Sequence, residues 1–199
     1  MLVAPAKLAL FTAAALALIV TPGPAVLYIV TRSVSQGRRA GFLSALGVGL
    51  GNAVHAAACA GGLAAVLASS ELAFAAVKWL GAGYLVVLGI SKLAGRGGAG
   101  LSQDAAAAPR AADRAVFGQG LAVAVLNPKT ALFFIAFLPQ FVDPSRGAAW
   151  AQLLFLGGLF VVLAIASDCG YAALAGSVGA WLRRHPAFAS GERWVGGSV

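Results

Sequence analysis

Residues 21–29 read TPGPAVLYI. Two prolines and a glycine, Pro22, Gly23 and Pro24, interrupt an otherwise apolar stretch that runs from Leu8 to Val20 before them and from Ala25 to Val30 after. The whole stretch reads as one membrane span with the strongest helix breakers at its middle. Proline removes a backbone N–H and clashes with the preceding turn, and it pushes the residue before it out of the α region. The span is therefore expected to be two half-helices joined at Thr21–Pro24.

The rest of the chain agrees with a membrane setting. Of 199 residues, 60% are hydrophobic and 10% charged, whereas a soluble domain is about half apolar and about a quarter charged. Apolar segments cover about 5–31, 41–69, 72–93, 115–142 and 147–181. A crossing takes roughly 20 residues, so these are five spans of an all-α integral membrane protein. Lys7 followed by thirteen apolar residues has the look of a signal peptide. The apolar stretch resumes after Pro24, however, and reads better as a span. The chain is expected to form one domain over 1–199.

The net charge is +8. Ten of the fourteen Lys/Arg lie in three stretches: Arg32, Arg38 and Arg39; Lys92, Arg96, Arg110 and Arg114; Arg183, Arg184 and Arg193. They alternate with connections at 69–72 and 143–147 that are not basic. This positive-inside pattern puts the basic loops in the cytoplasm and the N-terminus outside. It accounts for the charge without a nucleic-acid partner. Residues 95–114, GRGGAGLSQDAAAAPRAADR, read as a flexible cytoplasmic linker. The closing WVGGSV is too short to cross a bilayer and looks like the first turn of a sixth helix cut short.

The break at Pro22 has a counterpart. Residues 22–29, PGPAVLYI, align with 128–135, PKTALFFI, at an offset of 106 without a gap. The same offset pairs Gly41 with Gly147, Leu50 with Leu156 and Gly51 with Gly157. Thr21-Pro22 and Asn127-Pro128 each place a capping residue before a proline suited to the first helical position. The expected fold is an inverted-topology repeat of three-helix halves (3+3): about 1–94, a linker at 95–114, and about 115–199 with its last helix incomplete. Lipid cannot satisfy the peptide groups freed at such breaks, so they must be buried in protein or line a cavity. A helix starting there offers N–H donors and a positive dipole end to an anion.

These residues resemble a known family. TPGP in the first span, NPK in the fourth, PQF at 139–141 and VKWLGAGYLVVLGISKL at 77–93 are similar to the lysine exporter / homoserine–threonine efflux (LysE/RhtB) family of amino-acid exporters. The resemblance covers nearly the whole chain. It implies six helices in a bacterial-type cytoplasmic (inner) membrane, small amino-acid substrates, export, and coupling to the proton gradient. The incomplete sixth helix departs from that pattern.

Polar residues inside spans are functional suspects. Asp168 lies in the fifth span, with Tyr171 three residues on. Lys129 sits at the second break. Asn52 and His55 are about one turn apart in the second span. Lys78, near a span end, can snorkel to the headgroups. Asp168 and Lys129 could form a structural ion pair. They could instead serve a zwitterionic substrate. Its carboxylate would meet the half-helix N-termini at Thr21, Pro22, Gly23 and Pro24 or at Asn127, Pro128 and Lys129, and its ammonium would meet Asp168. A carboxyl held between burial and a nearby cation can exchange a proton for substrate. Asp168 is thus the proton-coupling candidate, with His55 a second.

Two other readings stay open. A membrane thiol-redox relay would use Cys59 and Cys169, and a metal-cation exporter would need more carboxylates or thiolates than this chain places in its spans. No catalytic residues, cofactor or bound metal are expected. The partners are the amino-acid substrate and the lipid bilayer, with homo-oligomerisation left open.

Overall fold

The computed structural model describes residues 2–63 and 112–184. The predicted third span at 72–93 with Lys78, nearly all of the linker, and the segment after Arg184 lie outside the described residues. Within them, all regular structure is helical: α1 (Pro5–Val20), α2 (Pro24–Gln36), α3 (Arg38–Ala58), α4 (Asp113–Val125), α5 (Pro128–Leu132) and α6 (Ala149–Arg184). A π-helical turn, Cys59–Leu63, extends α3. A second one, Phe133–Phe137, extends α5 and leads into a 3₁₀ turn at Leu138–Phe141. Another 3₁₀ turn, Pro144–Arg146, precedes α6.

Both expected breaks are present. α1 and α2 meet at 51°, and α4 meets the segment beginning at Pro128 at 48°. Each bent pair is long and apolar enough to count as one crossing, as are α3 with its π turn and α6 alone.

The caps differ from expectation at the first break. Asn127 does cap α5, its side chain accepting from the Lys129 N–H at 3.1 Å, with Pro128 at the first helical position. Thr21 does not cap α2. It ends α1, and its hydroxyl donates back to the Ala17 carbonyl at 2.7 Å. The second proline explains this. Pro24 takes the first helical position, so α2 starts two residues later with Gly23, extended at φ −142°, before it.

The predicted loop at 31–40 shrinks to one residue. Gly37, at φ 94°, turns the chain directly from α2 into α3. Hydropathy reports lipid contact rather than helicity, so the polar helix ends were read as loop. Asp113 and Arg114, at the end of the predicted linker, likewise form the first turn of α4, where an acidic residue suits the helix dipole.

Lipid supplies little driving force for helix association, so small residues at the contacts let backbones approach. α3 packs on α4 and α6, and α2 packs on α3 and α6. A Cβ on Gly120 of α4 would lie 2.7 Å from the Ser44 carbonyl oxygen of α3. One on Gly157 of α6 would lie 2.7 Å from the Ala56 Cβ. Two apolar clusters result. One joins Phe11 of α1 to Phe133, Phe134 and Phe141 and to Leu153, Leu156 and Phe160 of α6, with ring centroids 4.9 Å apart for Phe133 and Phe160. The other joins Tyr28 and Ile29 of α2 to Ala45, Val48, Ala124 and Ala172.

Gln152, fully buried, ties the turn before α6. It accepts from the Asp143 N–H at 2.9 Å and donates to the Asp143 and Gly147 carbonyls. In that turn the hydrogen bond from the Ser145 hydroxyl, with help from its backbone N–H, holds the Asp143 carboxyl below the usual carboxylate range.

Candidate functional site

The space between the two clusters is a cavity of about 40 Å³, room for water-sized occupants. Both breaks open onto it. Leu18, Ile19, Thr21, Gly23, Ala25 and Val26 line it from the first, and Asn127, Lys129 and Thr130 from the second. Val48 and Asn52 of α3 and Phe160, Ala164 and Asp168 of α6 complete the wall. A mostly apolar wall with a few placed polar groups is the usual make-up of a small-molecule site.

Lys129 links the breaks. Its backbone N–H is held by Asn127, and its Nζ donates to the carbonyls of Leu18 at 2.6 Å and Thr21 at 2.7 Å. The last carbonyls of a helix have no partner within it, so a cation from α5 satisfies the end of α1. Gly23 lies beside it: a Cβ there would stand 3.5 Å from the Lys129 Cδ, an ordinary van der Waals contact. At the start of α2 the first-turn N–H groups also lack helical partners, and Gly23 has no side chain to accept from them. Ala25 and Val26, which carry two of those N–H groups, stand on the cavity wall.

Asp168 and Asn52 are each 4% exposed and face the same space from α6 and α3. Among the described residues no side-chain hydrogen bond reaches the Asp168 carboxylate, which stands on the cavity wall.

Six residues proposed from the sequence thus meet in one cavity: Thr21, Gly23, Asn52, Asn127, Lys129 and Asp168. Pro22, Pro24 and Pro128 shape the breaks from outside the wall. The Tyr171 hydroxyl donates to the Val20 carbonyl at 3.1 Å, adding a partner to the end of α1. The His55 Nε2 lies 3.2 Å from the Ala124 carbonyl oxygen and its ring stacks on Phe134, away from the cavity. Cys59 donates to the Phe134 carbonyl at 3.1 Å, and neither it nor Cys169 is in a disulfide.

Sequence reasoning missed Thr130 and the apolar part of the wall: Leu18, Ile19, Ala25 and Val26 around the first break, Val48 on α3, and Phe160 and Ala164 on α6. Two of the missed rows were available. Stepping back by fours from Asp168 reaches Ala164 and Phe160, and one such step from Asn52 reaches Val48.

Bent helix pairs, small-residue packing and a cavity where the breaks meet define a multi-pass helical membrane protein. The chain belongs to the LysE type translocator family, whose sequence pattern matches residues 16–198. It is a transporter rather than an enzyme. It is 33% identical, over 82% of its length and 77% of the relative's, to a homoserine/homoserine lactone efflux protein of Salmonella typhimurium. It is 36% identical to an uncharacterized membrane protein of Pseudomonas aeruginosa, over 87% of this chain and 81% of that one. It is 33% identical to another from Vibrio cholerae, over 81% and 77%. No solved structure matches the chain.

Proposed function

We propose that this protein is a secondary active exporter of small, net-neutral amino acids or their derivatives, driven by proton antiport across a bacterial-type cytoplasmic membrane. The observation that carries the reading is the cavity shared by both breaks, Lys129 and Asp168; at about 40 Å³ it admits water-sized occupants, so an amino acid enters in a wider conformation of the cycle. The substrate ammonium meets Asp168. A carboxylate meets the uncapped start of α2, where the helix dipole favours negative charge. Two relatives are named for efflux of homoserine and its lactone. The lactone lacks a carboxylate but keeps the ammonium, so a site that reads ammonium through Asp168 accepts both. Asn52, Asn127 and Thr130 supply hydrogen-bonding groups for a short polar side chain.

Coupling follows from exclusive occupancy. On the cytoplasmic side Asp168 releases a proton as the ammonium binds. On the outer side the substrate leaves and Asp168 takes up a proton before the protein returns. The 3+3 inverted repeat suits this cycle, because two equivalent halves can rock about a central site. The near-equal bends of 51° and 48° support it. So does the meeting of Gly23 and Lys129, which are equivalent at the offset of 106.

The test is efflux from preloaded cells across a panel of amino acids, with and without a protonophore. Wild type should export small neutral substrates, and protonophore should abolish the export. Asp168→Asn should lose it while Asp168→Glu keeps part. Export by Asp168→Asn at the wild-type rate, still abolished by protonophore, would overturn the coupling role.

A further inference from the structure

We infer that α2 carries a second site, an oxyanion site built on Arg32 and Gln36. Arg32 was expected in a basic loop. It lies inside α2, 3% exposed, six residues beyond the cavity-lining Val26 and so about 9 Å further along the helix. Tyr28 and Ile29, both buried, lie between it and the cavity.

The Arg32 Nη2 donates to Gln119 Oε1, and the guanidinium stands over the Tyr28 ring, 5.6 Å from its centroid. The Tyr28 hydroxyl is anchored on the Val116 carbonyl at 2.8 Å. Among the described residues nothing accepts from Arg32 Nε or Nη1, or from Gln36 Nε2, although all three atoms are buried. The ion pairs among the described residues are Arg39–Asp113 and Arg146–Asp143, so no carboxylate there neutralises Arg32.

All three orphan atoms are donors, and that fixes the chemistry of what they take. A guanidinium presents five N–H groups in a planar fork. Gln119 uses one of the two on Nη2, so one edge of the fork keeps a free pair. A free pair on arginine fits a carboxylate or phosphate bidentately. Gln36, one turn further along the same face, adds a third donor. An unpaired buried cation is expensive, and a bound anion removes that cost. Exposed Gln119 forms one flank, and Arg38, Arg39 and Arg114 stand exposed near this end of the bundle. The ligand is therefore a phosphate-type oxyanion, delivered as a lipid headgroup or as a free ion.

The experiment uses the full chain in detergent. Its thermal unfolding is followed against inorganic phosphate and against chloride at equal ionic strength. Native mass spectra are taken after adding phosphatidylglycerol or phosphatidylcholine. Saturable stabilisation by phosphate assigns the free ion. Retention of phosphatidylglycerol without a phosphate response assigns the headgroup. In either case Arg32→Gln should lose the response, and Arg32→Lys should weaken it about tenfold through loss of the fork. If Arg32→Gln does not fold, Gln36→Leu decides, and it should also weaken binding. No saturable response in wild type, or equal responses in wild type and in the variants, overturns the site.

Discussion

The first break holds three residues outside helix, Thr21 to Gly23, and gives α2 no side-chain cap. The second holds two, Leu126 and Asn127, and caps itself through the Asn127 side chain. The sequence aligns Gly23 with Lys129, so the position that is bare in one half carries a long cation in the other. The lysine reaches across to the carbonyls of Leu18 and Thr21. Two glycines would leave the end of α1 without this donor, and two lysines would bring like charges into one small space. The two breaks thus meet through a difference in sequence: where one is bare, the other supplies the cation that satisfies the end of α1.

The largest effect should come from Lys129→Met. It removes two hydrogen bonds from a charged donor and leaves two carbonyls at the end of α1 to whatever water enters. At the usual worth of charged hydrogen bonds, about 2 kcal/mol of stability should go. Export should fall to background in the same preloaded-cell assay. A variant with wild-type thermal midpoint and export would mean that the breaks act independently and that the contact between them is incidental.

Asn127→Ala probes the other half of the comparison. It removes the cap of α5, which should cost about 1 kcal/mol, read as a lower thermal midpoint. Asn127→Asp should restore it, because a carboxylate also accepts from the Lys129 N–H and suits the dipole. Export by Asn127→Ala should drop several-fold rather than vanish, since Lys129 keeps its Nζ partners. If the Asp variant fails to recover the midpoint, Asn127 contributes through its amide donor and not as a cap.

Much of this was legible because proline and asparagine act locally. NPK places a cap, a first-turn proline and a cation in three consecutive residues, and the structure puts the cap and the proline where the sequence implies, while the Lys129 ammonium, expected on Asp168 or a substrate carboxylate, donates to the Leu18 and Thr21 carbonyls. TPGP was less legible because it holds two prolines, and which one starts the helix depends on how α1 ends. Asp168 and Asn52 stood out as polar residues in apolar runs. That they share a cavity with each other and with Lys129 depends on helix rotation, which near-uniform hydrophobicity hides. His55 and Asn52 are three residues apart, yet one stacks on Phe134 and the other lines the cavity. Arg32 was misread for a related reason. Charge near a span end suggests a loop, and only packing reveals that α2 runs on and buries it.

The smallest effect separates the two capping residues that the sequence had made equivalent. Thr21→Val keeps the shape and the β-branch of the side chain, and the extended backbone at Thr21, ψ 115°, suits either residue. It loses one hydrogen bond, from the hydroxyl to the Ala17 carbonyl. That carbonyl also accepts the Thr21 N–H at 3.3 Å and so keeps a partner. The Thr21 carbonyl still faces Lys129. Stability should therefore change by no more than about 0.5 kcal/mol, with export near wild type, against the roughly 1 kcal/mol cap loss of Asn127→Ala. Measured side by side, equal shifts in midpoint would show that the breaks are capped alike. A larger shift at Thr21 would mean that its hydroxyl sets how α1 ends, and that the asymmetry between the two breaks runs the other way.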